Sequence, residues 1–131
     1  MAGFTDYLED KVLDHVFGGS AYSAPGTLYV GLFTAAPSDT GGGTEVSGGS
    51  YARKSMAAMT VSGTSPTTAT NGAAVEFVTA TGSWGTITHV GIFDASSSGN
   101  LMAWAALSAS KVVASGDVIR FDAGDLDVTL A

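Results

Sequence analysis

Residues 83–95 read SWGTITHVGIFDA, and the status of 85–93 decides how the whole chain is read. The stretch holds His89, one of two histidines, and Asp94 follows five residues later. On a strand, Ile87, His89, Gly91 and Phe93 share one face, while Thr88, Val90 and Ile92 share the other. Both faces are mostly apolar, which predicts an interior strand covered on both sides. His89 and Asp94 then point to opposite faces and form no dyad. His89 reads as a hydrogen-bonded strand residue, and Asp94 opens the turn DASSSGN by capping backbone. Gly91 predicts a bulge or the close approach of another backbone or ring, with Trp84 or Trp104 as candidates.

The flanking sequence repeats this pattern. Short apolar runs at 28–33, 51–61, 73–80, 101–107, 111–114, 117–123 and 126–130 alternate with clusters of Gly, Ser, Thr, Asn and Pro. With 85–93 they make about eight short strands, and no long helical pattern intervenes. The expected fold is mainly β, an antiparallel β-sandwich with an N-terminal amphipathic helix. Two polar, Gly-rich inserts, 37–50 and 62–72, read as long loops.

The helix occupies the first nineteen residues. Phe4, Leu8, Val12 and Val16 form one i, i+4 row, and Asp6, Asp10 and Asp14 form another on roughly the opposite side. Thr5 is the expected N-cap, with Asp6 and Glu9 in the first turn, His15 in the last and Gly18-Gly19 as the stop. Leu13 and Phe17 fall outside the main row, so the apolar surface is wider than one stripe. Such a helix either packs in a groove of its own domain or meets its own body on one side and a second subunit on the other.

At 131 residues the chain is one domain, 1–131, with the helix at 1–19 and the sandwich at 20–131. It is 45% hydrophobic but only 13% charged, against about a quarter in ordinary soluble domains. A skin so poor in long charged side chains suits a protein covered by neighbours, and equally an ordinary β domain. Net charge is −7, and only Arg53-Lys54 form a cationic pair, so nucleic acid is not an expected partner. No window approaches a membrane span, and the acidic start lacks the basic, apolar pattern of a secretory signal. The expected site of synthesis is a cytoplasm. Cysteine is absent, which removes disulfides, a thiol nucleophile and Cys-based zinc sites.

Each catalytic constellation fails on a requirement. No serine sits in a G-x-S-x-G elbow, and His15 and His89 are too far apart for a His-pair metal site. The glycines at 41–43 and 48–49 lack the G-K-[ST] ending of a phosphate loop. DAGDLD (122–127) lacks the spacing of a calcium loop and reads as a solvated turn. Glu45 and Glu76 could pair in space, but nothing around them suggests a raised pKa. The expectation is a non-enzymatic protein with no catalytic residues, metal or cofactor.

FTDYLEDKVLDHVFGG (4–19), LYVGLFTAAPSD (28–39), EVSGGSYAR (45–53), WGTITHVGIFDA (84–95) and GDVIRFDAGDLDVTL (116–130) together resemble small tail-fibre-like virion structural proteins of tailed bacteriophages. Residues 62–72 match least. The resemblance implies a phage structural protein with a β-rich fold and no catalytic residues, located in the virion and partnered by other virion proteins. The chain shows no shaft repeat or heptad. It therefore reads as a small tail appendage, with a capsid-decorating (cement) role as the alternative. A homo-oligomer, possibly a trimer, is expected, with Phe4, Leu8, Val12, Leu13, Val16 and Phe17 as the candidate interface. A carbohydrate- or receptor-binding module is the rival of another class, using exposed Tyr22, Tyr51, Trp84 or Trp104 for stacking; the competing role of those rings is core packing.

Overall fold

The computed structural model describes residues 3–64 and 66–130. The described residues form eleven strands: β1 (Gly3–Phe4), β2 (Leu28–Ala35), β3 (Thr44–Glu45), β4 (Lys54–Met56), β5 (Thr60–Ser62), β6 (Thr67–Thr70), β7 (Val75–Glu76), β8 (Gly85–Phe93), β9 (Leu101–Val113), β10 (Arg120–Phe121) and β11 (Asp127–Leu130). A helix, α1 (Asp6–Leu13), separates β1 from β2. All strand pairs are antiparallel. The large sheet runs β1-β9-β8-β2-β3, with β4 also on β2; smaller sheets are β11-β6-β5 and β10-β7. One core joins them, drawing Val30, Leu32, Ile87, Val90 and Ile92 from the large sheet and Val75 and Val128 from the smaller ones.

The stretch 85–93 is an interior strand, with β2 on one side and β9 on the other. Val90 and Ile92 face the core beside Leu32 and Val30. The opposite face is covered too: Phe33 and Phe93 stack at 5.9 Å. Two details of the predicted alternation change. Ile87 lies in the same core as Val90 and Ile92, because the β8–β9 register breaks between Ile87 and His89. Gly91 itself sits in regular pairing, opposite Gly31 and Trp104, and no bulge falls on it. A side chain there would collide with Leu101 and the Phe33 ring, 2.7 and 2.9 Å away, so the close neighbours are these and neither tryptophan's side chain.

Strand boundaries shift where chemistry alone was ambiguous. The runs 101–107 and 111–114 form a single β9, whose residues 107–110 belong to the register break. The run 51–61 divides into β4 and the start of β5. The expected loop 62–72 contains β6, the middle strand of its sheet, and 37–50 contains β3. Threonine-rich TTAT suits a strand by β-branching, although its polarity reads as loop.

The helix is shorter than 1–19. Phe4 belongs to β1, pairing with Ala103, and so leaves the i, i+4 row. Thr5 is the N-cap, accepting from the Leu8 backbone N–H. Its hydroxyl is also within hydrogen-bonding distance of the Leu101 and Met102 carbonyls, at 2.6 and 3.1 Å. A π-helical turn over Asp14–Gly18 follows, and Gly19 ends it in the left-handed conformation (φ 76°).

Candidate functional site

The helix is anchored to the sheet at its N-terminal end. Thr5 N–H donates to the Met102 carbonyl and Asp6 N–H to the Asp39 carbonyl, anchoring the first turn on β9 and the 37–50 segment. Leu8 and Val12 are half-buried, and Phe4 packs against the core. Beyond them the apolar side chains run into solvent: Leu13 is 59% exposed, Val16 60% and Phe17 82%. Of the six candidate interface residues, the structure thus separates three that seat the segment from three that project. Single exposed apolar residues are ordinary, but three within five residues at a helix end form a patch that water solvates poorly. The turn is held by the Tyr22 N–H donating to His15 Nδ1 at 3.0 Å.

The residues with possible chemistry are occupied structurally. His89 Nδ1 lies 2.8 Å from the Thr88 hydroxyl, and its ring leans on Trp104. Asp94 accepts from the Asn100 backbone N–H and side-chain amide, closing the turn as a cap. Glu45 and Glu76 are each ion-paired, with Arg53 and Arg120. In the 122–127 turn, Asp125 accepts from the Asp122 N–H, and Asp122 pairs with Arg120. Among the described residues, no group of three His, Asp or Glu side chains could hold a metal ion. None of the helices among them is long and apolar enough to cross a membrane.

Two polar hubs carry structure that sequence reasoning missed. Arg53 makes a two-pronged bond to Glu45, at 2.8 and 2.9 Å, and also donates to the Ala95 and Ser98 carbonyls. Its guanidinium lies 3.4 Å from the centre of the Phe93 ring. The Tyr51 hydroxyl donates to Glu45 and accepts from the Leu32 N–H, filling the gap on β2 between β3 and β4. Burial, reinforced by the bond to Glu45, pushes the Tyr51 hydroxyl far above its ordinary pKa. The second hub is buried Asn71. Its side chain donates to the Ala73 and Asp122 carbonyls and accepts from the Gly124 and Leu126 N–H groups, tying β6 to the 122–126 turn. Glu, Tyr and Arg at 45, 51 and 53 are a visible signal in hindsight; Asn71 within a Thr-rich stretch gives none.

The aromatic candidates for sugar stacking divide. Trp84 is buried and Tyr51 packs on the core, edge-to-face at 5.3 Å, and Trp84 donates to the Gly49 carbonyl. Tyr22 and Trp104 are half-buried, Trp104 with its indole N–H on Asp39.

Residues 3–129 match a family model described as podophage GP4 fiber I protein gp80. No curated protein matches the chain.

Proposed function

The chain belongs to the podophage fibre family of gp80, and from that premise we propose that it is a non-enzymatic, tail-fibre-like component of the virion, working through assembly contacts. The observation that carries this reading is the projecting patch of Leu13, Val16 and Phe17 at the C-terminal end of the helix. Burying it against another virion subunit would gain roughly 25 cal/mol for each Å² of apolar surface covered. The low-charge surface supports the same reading, since few long side chains lose freedom on assembly. A homo-oligomer, with a trimer as the working stoichiometry, fits a symmetric appendage. The family favours the fibre role over capsid decoration.

The test places Leu13→Asp or Phe17→Asp in the phage. The expected result is a folded protein missing from purified particles. Normal incorporation of either folded variant would remove the helix as the contact.

A further inference from the structure

The helix patch is not the only unpartnered part of the molecule. Several strand edges among the described residues carry no paired neighbour, and two of them bear a largely exposed valine. One is β5, at the end of the β11-β6-β5 sheet. The other is the outer edge of β9 beyond Trp104, since β1 covers only Ala103 and Trp104. The two edges lie at different ends of the fold, because β11, the far end of the β5 sheet, rests against β1 on the β9 side.

Both edges have an exposed valine. Val61 is 67% exposed and Val112 71%. Val61 pairs with Ala69, which pairs with core residue Val128, so all three share a row on the inward face of their sheet. Val61 thus points the way a core residue points, but β5 overhangs the core and nothing among the described residues covers it. Near the other edge, a groove of about 440 Å³ opens between β9 and the 120–127 segment, with Ile92, Ala103, Leu107, Phe121 and Leu126 in its lining.

Charge selects the partner. The chain carries 12 acidic residues against 5 basic ones, so copies repel over most of their surface. The segments bearing these edges, 57–64 and 101–113, contain no Asp or Glu, and their one charge is Lys111. Natural proteins usually blunt an open edge with charge or proline, and β5 has neither. A free edge offers backbone N–H and C=O groups, which an extended strand satisfies and a sugar or helix does not. We propose that β5 of one copy adds to the outer edge of β9 of a second copy, bringing Val61 against the Val112 end of that strand. The contact is head-to-tail, joining two different surfaces, so it closes into a ring or continues as a stack. It is separate from the helix patch and does not depend on it.

The absence of cysteine makes the test direct. Purified full-length Val61→Cys and Val112→Cys variants are mixed and mildly oxidised, since a disulfide forms only when the two Cβ atoms come within roughly 4.5 Å. The expected result is a disulfide-linked dimer in the mixture, at least ten-fold above either variant alone, and higher oligomers from the double variant. Val61→Lys should remain folded by circular dichroism and lower the mass of the uncrosslinked species in light scattering. Efficient linkage of Val112→Cys to itself would mean that β9 meets β9 and overturn the proposal. So would only monomers from folded variants, or an oligomer whose mass Val61→Lys leaves unchanged.

Discussion

Tyr51 shows how one hydroxyl can complete a sheet. It accepts from the Leu32 N–H where no strand does so, and donates a hydrogen bond to Glu45. Tyr51→Phe leaves the Leu32 N–H without its acceptor and Glu45 with Arg53 alone, and a loss of about 1–3 kcal/mol is expected in urea unfolding at pH 7. The raised pKa has a pH signature. Above about pH 10 the unfolded chain releases this proton while the folded one keeps it, so stability falls as pH rises further. The phenylalanine variant should show a shallower alkaline decline. Arg53→Met removes the partner of partly buried Glu45 and the clamp on the Ala95 and Ser98 carbonyls. The expected cost is roughly 3–5 kcal/mol. Individual residues were unevenly legible. His89 and Asp94 could be assigned structural work from strand alternation and turn chemistry. The Glu45–Tyr51–Arg53 hub could not, because its other partners, Leu32, Phe93, Ala95 and Ser98, are distant in sequence and joined only by the fold.

At the scale of elements, β8 was legible over its full length because both its faces are apolar, and β2 because its apolar run is long. β6 was hidden: Thr67–Thr70 carries no hydrophobic period, and its place comes from pairing with β5 and β11 and from Asn71 at its end. Asn71→Ala leaves the Gly124 and Leu126 N–H groups without their side-chain acceptor, and a loss of about 2–3 kcal/mol is expected in thermal or urea unfolding. The helix start was legible from Thr5 and its end from Gly18-Gly19. That Phe4 pairs as a strand was not, since its spacing fits the helical row equally well. The projecting half of the helix makes the opposite prediction to the hubs. Phe17→Asp should change unfolding free energy by less than about 0.5 kcal/mol, because that residue is 82% exposed. A large destabilisation would mean that Phe17 serves the monomer.

For the whole molecule, an apolar core is joined by a few polar clamps, and some apolar side chains lie outside that core. The clamps at Arg53 and Asn71 commit polar side chains to holding distant segments together. Leu13, Val16, Phe17, Val61 and Val112 stand exposed, and the proposed contacts would cover them. Which neighbours those are was not legible from one chain, because an interface is a property of two surfaces. The family places such chains among phage fibres. Gold-labelled antibody on purified virions, combined with mass-spectrometric copy counting, addresses the matter most directly. A building block of the fibre should be found on the tail at a low multiple of three or six. Its absence from particles that carry all other structural proteins would contradict the account.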